Sequence, residues 1–134
     1  MDKIRNNLYV GSWQDAKAEN LKKVGITAVL DMAWDSHHIP HVHKETRYVR
    51  INLEDANWNK QYMKDLGVYT LKEMLRNGEV VLVHCVSGHS RSVYVIARVL
   101  AEWEGKSVED AFAEIKEKHP ASVWGRLGEE NDNV

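Results

Sequence analysis

A single cysteine, Cys85, stands among the 134 residues of this chain. An internal disulfide is therefore excluded, and a reducing, cytoplasmic location is the expectation. Net charge is almost absent as well. The 18 basic and 20 acidic residues balance to −2, which leaves no overall basic surface for nucleic acid or an acidic membrane. No apolar run approaches the ~20 residues of a membrane span. The opening stretch MDKIRNNLYVG has no apolar core of the kind a secretion signal needs. Repeats, low-complexity blocks and linkers are missing too. Residues 1–134 are thus expected to form one domain around one core, with about 129–134 a frayed tail.

What is present is an ordinary globular mixture, 43% apolar and 28% charged, rather than the balance of a disordered chain. Its signals alternate between strand and helix. LYVG, Leu8 to Gly11, reads as a short strand, and Ser12 with Asp15 resembles a capping box. Trp13, Lys17, Leu21 and Val24 fall on one helical stripe that Gly25 can close. Ile26 to Ala33 is continuously apolar, as a buried strand is, and Arg47 to Leu53 alternates with Val49, Ile51 and Leu53 on one face. A helix is expected over roughly Lys60 to Asn77, then a buried strand in EVVLVHC. Ser90 to Glu104 follows as a helix with Val93, Ile96, Ala97, Leu100 and Trp103 inward, ending at Gly105. Ser107 and Asp110 open the next, whose stripe is Val108, Ala111, Phe112, Ile115 and His119, and Pro120 ends it. A short last helix is expected around Val123 to Leu127. Strands alternating with helices imply an α/β fold of three layers. Its central, mostly parallel mixed sheet has about four to five strands, with helices on both faces.

In such a sheet, sites form at the carboxyl ends of strands. Cys85 sits at one of those ends, and the following helix starts near Ser90 or Arg91. The free N–H groups and positive dipole end of that helix point back at the cysteine loop and favour a thiolate. The loop from Val86 to Arg91 can turn several N–H groups inward as an anion nest, and Gly88 permits the curvature. Arg91 adds a planar fork that suits two phosphate oxygens. The commonest fate of a lone cysteine is a buried structural thiol. The glycine, the arginine and the helix start at these offsets argue instead for a thiolate beneath a cradle for a tetrahedral dianion.

HCVSGHSRS resembles the Cys-x5-Arg signature of the protein tyrosine phosphatases. The serine directly after the arginine, and the short chain, resemble the dual-specificity branch in its small, single-domain, atypical form. NNLYVGSWQDAKAENLKKVGITAVLDMA is similar to that branch's opening, a LYLGS…DA…L…GIT.VLN type of stretch, so the likeness runs from about Ile4 to Leu127. The resemblance implies a protein tyrosine phosphatase-like fold and a cysteinyl-phosphate intermediate with no cofactor and no metal. Cys85 is then the nucleophile, and Arg91 holds the phosphoryl oxygens. Ser92 donates to the sulfur and eases its departure, and His84 braces the loop. The backbone N–H groups of Val86, Ser87, Gly88, His89, Ser90 and Arg91 line the cradle.

The leaving oxygen needs a proton. The family takes it from an aspartate about thirty residues before the cysteine, in the loop after an earlier strand. Asp55 fits, Glu54 is its immediate competitor, and Asp35 is the reserve. His37, His38, His41 and His43 fall within seven residues, yet no partner spacing resembles a metal site. A polar loop near the pocket rim is the expectation there. His89 either contacts substrate or is merely exposed or packed. Of the five tryptophans, Trp34 and Trp58 fall in loops at the expected active-site edge.

The expectation is a phosphate monoester hydrolase acting on proteins or peptides at phosphotyrosine, with phosphoserine and phosphothreonine as further substrates. No nucleic acid or membrane partner is expected, and a monomer is favoured. Two rivals stand beside it: a phosphatase of a phosphoinositide, an RNA 5′-triphosphate or a sugar phosphate, and a phosphate-binding pseudophosphatase. The fold hosts all of them.

Overall fold

In the computed structural model, which describes residues 1–35 and 46–125, the apolar runs pair edge to edge. The strands are β1 (Asp2–Arg5), β2 (Leu8–Gly11), β3 (Ala28–Asp31), β4 (Arg47–Arg50) and β5 (Val81–His84). They lie in the order β1-β2-β5-β3-β4, with β1 antiparallel to β2 and every other pair parallel. Central β5 is buried at every residue, because a strand covered on both faces needs side chains that tolerate burial on both.

The two faces have different covers. Helices α2 (Gln61–Arg76), α3 (Arg91–Glu104) and α4 (Val108–Lys118) lie on one side. There Leu30, Val81 and Val83 pack with Val68, Leu71, Val93, Ile96 and Leu100. Val29 and Leu82 point the other way and meet Ala16, Leu21 and Ile26, beside helix α1 (Ala18–Val24). The alternation is the period of two that a strand imposes. The three-layer α/β class expected from the sequence is the one observed. Gly11 and Asp31 both stand opposite His84, so the loops after β2, β3 and β5 open at one level of one edge.

Several local expectations change. Strand β1 was not anticipated: DKIR has one apolar residue, Ile4, and no alternation. The first helix breaks into a 3-10 turn (Trp13–Ala16) and α1, with Lys17 extended between them. That break rotates the expected stripe, so Leu21 is buried and Val24 is exposed. Strands β3, β4 and β5 are shorter than their apolar runs, although Ile51 and Leu53 stay buried beyond β4. Trp103 is exposed rather than inward and lies over the Arg76 guanidinium, 5.5 Å from ring centroid to charge. Residues 123–125 are not helical. Trp124 there packs on Tyr94 and Phe112, with ring centroids 5.5 Å apart in each case. His37, His38, His41 and His43, Arg126 and Leu127, and the tail 129–134 lie outside the described residues. Among the described residues, no helix is long and apolar enough to cross a membrane.

Candidate active site

Cys85 follows β5 directly, is 1% exposed, and holds its Sγ 3.5 Å from Ser92 Oγ in the first turn of α3. Between them the loop turns its carbonyls outward. The Cys85 oxygen accepts from His84 Nδ1 at 3.0 Å and the Val86 oxygen from the Trp13 N–H at 3.3 Å. The Gly88 oxygen accepts from His119 Nε2 at 2.8 Å and the His89 oxygen from the Val123 N–H at 2.7 Å. No described peptide bond is cis. In a trans peptide the C=O and the next N–H point oppositely. The N–H groups of Val86, Ser87, His89 and Ser90 therefore turn away from those partners, as an anion nest requires. Gly88 has φ +80°, and a Cβ there would sit 2.5 Å from the Gly11 carbonyl oxygen. Only glycine fits both the conformation and the space.

Arg91 opens α3 and is 4% exposed. Its Nη1 donates to Asp35 Oδ1 at 2.7 Å and to the Leu53 carbonyl at 2.9 Å. Its Nε is buried with no hydrogen-bond partner among the described residues. A buried charged donor left so is costly unless a ligand supplies the acceptor.

The loop after β4 faces the same edge. Asn59, buried, shapes it: Oδ1 accepts from the Glu54 N–H at 2.9 Å, while Nδ2 donates to the Glu54 and Ala56 carbonyls at 2.7 and 2.8 Å. The Glu54 carboxylate accepts from the Trp58 indole N–H. Asp55 is exposed, and its Oδ1 accepts from Ser90 Oγ at 2.8 Å. Asp55, Ser87, His89, Ser90, Val123 and Gly125 line a cleft of about 230 Å³. Trp34 and Trp58 are exposed in the loops after β3 and β4. A roomier cleft, about 670 Å³, lies at the opposite ends of the strands among Lys22, Thr27, Arg47 and Glu79, far from this chemistry.

Beneath the site lies a carboxylate, Asp31, with no exposure. It accepts from Tyr48 OH at 2.8 Å and from the Ala33 N–H at 3.0 Å, with Arg50 Nε at 3.5 Å and His84 Nδ1 at 3.8 Å. Burial, and then the bond to Asp31, push the Tyr48 phenol well above its ordinary pKa. The residues expected to act together, Cys85, Val86 to Ser92 and Asp55, do converge. The sequence reading did not anticipate the parts of Asp31, Asn59 and His119, and it held Asp35 only in reserve as an acid. Asn59 stood in a stretch legible as a polar turn, and His119 on a stripe read as core. Nothing in their types or spacing announces the partners they reach.

Comparison with known proteins places this geometry. The pattern defining the dual specificity phosphatase catalytic domain matches residues 8–125. Dual specificity protein phosphatase 1 of Arabidopsis thaliana is 33% identical over 123 residues, covering 89% of this chain and 60% of that protein. Dual specificity protein phosphatase Mpk3 of Drosophila melanogaster is 34% identical over 112 residues, covering 77% of this chain and 25% of that protein. The chain thus spans less than two thirds of either relative. Among solved structures, human DUSP28 superposes with a TM-score of 0.81 at 22% identity, covering 92% of this chain and 86% of that one, a likeness of fold.

Proposed function

We propose that this chain, which belongs to the dual specificity phosphatase catalytic-domain family, hydrolyses phosphate monoesters of proteins through a cysteinyl phosphate. The observation that carries the reading is the buried Arg91 Nε, which has no acceptor among the described residues, set beside a loop whose carbonyls are tied outward. A phosphoryl dianion supplies acceptors to both.

In the first step the Cys85 thiolate attacks phosphorus. The S–P bond forms as the P–O bond to the leaving group breaks, and Asp55 gives that oxygen a proton. In the second, water attacks the phosphorus and Asp55 takes its proton. The S–P pair returns to sulfur, and Ser92, 3.5 Å away, donates to it. Arg91 and the loop N–H groups balance the charge on the phosphoryl oxygens throughout. Asp55 is favoured because its carboxylate reaches the cradle loop itself, at Ser90 Oγ. Glu54 is engaged by Trp58, and Asp35 holds Arg91. His84 braces the loop through the Cys85 carbonyl.

Substrates on this reading are phosphotyrosine peptides, with phosphoserine and phosphothreonine peptides admitted by the open cleft and its exposed flanking tryptophans. On this reading residues 8–125 form the catalytic domain, which works as a monomer and uses no metal or cofactor. A cytoplasmic location suits a mechanism that needs a reduced thiol. Turnover of phosphopeptides and of nitrophenyl phosphate, with a phosphate adduct trapped on Cys85 by acid quench, tests the proposal. Cys85→Ser should be inactive yet capture phosphoproteins from a lysate; normal turnover by Cys85→Ser would end the reading.

A further inference from the structure

We propose that His119, held by Asp2, is a positioning residue for the phosphate cradle; the proposal rests on the phosphatase reading of the site. His119 is the residue after α4 and is 9% exposed. Its Nε2 lies 2.8 Å from the Gly88 carbonyl oxygen and its Nδ1 2.5 Å from Asp2 Oδ2 in β1. A carbonyl oxygen only accepts, so Nε2 carries a hydrogen and donates it. Nδ1 faces the Asp2 carboxyl, so both ring nitrogens are committed. The ring is thereby clamped between the edge strand of the sheet and the loop that covers Cys85.

The peptide it grips is the one that most needs gripping. Gly88 has no side chain and adopts φ +80°. Glycine visits many backbone states, so the Gly88–His89 plane can rotate at lower cost than its neighbours. Rotation would carry the His89 N–H away from the anion and turn a carbonyl oxygen toward it, a repulsive exchange. The bond from His119 opposes that rotation from behind the loop. The next plane has a separate guard, since the His89 oxygen accepts from the Val123 N–H at 2.7 Å. Adjacent Lys116 and Lys118 are directed elsewhere, to the carbonyls of Ser122 at 2.8 Å and Ile4 at 3.0 Å. His119 is thus the side chain of this segment that reaches the loop, and it touches neither substrate nor the reacting atoms.

The test titrates the parent, His119→Ala, His119→Gln and Asp2→Asn with inorganic phosphate. It follows the amide resonances of His89 and Ser90, the protection of Cys85 from iodoacetate, nitrophenyl phosphate kinetics, and Tm. In His119→Ala, phosphate affinity should fall about tenfold, the scale of one buried hydrogen bond. kcat/KM should fall at least as far at temperatures well below the variant's Tm. The phosphate-induced shift of His89 should vanish while that of Ser90, still guarded by Val123, persists. His119→Gln, which keeps a donor near the Nε2 position, should recover most of the affinity, and Asp2→Asn should fall between. Phosphate affinity within about twofold of the parent, with the His89 shift intact, overturns the proposal whatever the Tm, and leaves the phosphatase reading standing. A parent that neither binds phosphate nor turns over overturns both. Should His119→Ala not fold, Asp2→Asn decides: weaker phosphate binding at unchanged Tm supports the role, and unchanged binding ends it.

Discussion

At the scale of single residues, neighbours that look interchangeable in the sequence have separate duties. Glu54 and Asp55 are adjacent carboxylates, yet one is engaged by Trp58 and the other lines the cleft. Asp55→Asn should cut turnover of peptide and alkyl phosphates by about 10²–10⁴-fold, the usual worth of a positioned proton donor. The loss should be smaller for nitrophenyl phosphate, whose anion leaves unaided, and Glu54→Gln should retain near-normal rates on both. Paired steady-state kinetics check this, and the reverse pattern would move the acid one residue earlier. Gly88→Ala places a Cβ against the Gly11 carbonyl at 2.5 Å in a left-handed conformation. It should cost about 1–3 kcal/mol from the conformation alone and abolish phosphate protection of Cys85. A denaturant melt coinciding with the parent's would show that the loop does not need this geometry. His89 is exposed on the cleft wall, so His89→Ala should raise KM for phosphopeptides more than for nitrophenyl phosphate.

At the scale of elements, the edge strand β1 buries one apolar side chain, Ile4, and is otherwise tied down by charge. Arg5 Nη2 donates to Glu104 Oε1 at 2.7 Å and to Glu114 Oε1 at 3.0 Å, while Lys106 and Lys118 reach Glu114 at 2.8 and 3.0 Å. The network ties the end of β1 to the end of α3 and the flank of α4. Arg5, and then Lys106, hold the Glu114 and Glu104 carboxyls below the usual carboxylate range. A carboxyl depressed in the folded state stabilises the fold above its unfolded pKa, and the benefit fades as pH falls through the folded value. Because the pairs are partly exposed, Arg5→Met should cost about 1 kcal/mol at pH 7, or roughly 3–4 °C at this length. The difference from the parent should shrink as pH drops below about 4, where the unfolded-state carboxyls have taken up protons. Thermal melts at neutral and acid pH decide it; a gap that widens in acid would contradict the sign.

At the scale of the molecule, the two ends of the described chain meet behind one loop. Asp2 in β1 and His119 after α4 contact each other, and the segment through Trp124 closes over the cleft at Val123. A ligand that fills the cradle should therefore stabilise the whole fold. At a hundredfold excess over its Kd, phosphate or vanadate should add about 2.7 kcal/mol, or roughly 10 °C in Tm. Arg91→Ala should lose that increment. An equal shift in the variant would mean that the anion binds elsewhere.

The α/β class, strands β2 to β5 and the Cys85–Arg91 loop were legible in the residue order. Each rests on local patterns: continuous apolar runs for strands buried on both faces, a period near four for helices, and a glycine between cysteine and arginine where a strand meets a helix. Asp55 was chosen ahead of Glu54 through the resemblance and its distance from Cys85; folding brings its carboxylate to Ser90 Oγ, and its part as the acid belongs to the proposal. What the tertiary structure alone decided is which groups meet across long stretches of chain. Strand β1 has no pattern of its own because its stability comes from pairing with β2 and from Arg5 bonds to residues about a hundred positions away. His119 reads as core by period, and only folding brings its ring between Asp2 and the Gly88 carbonyl. A side chain's type and spacing specify what it can donate or accept. Which partner it finds depends on the packing of elements distant in sequence, and that information resides in the assembled sheet and helices rather than in any single stretch.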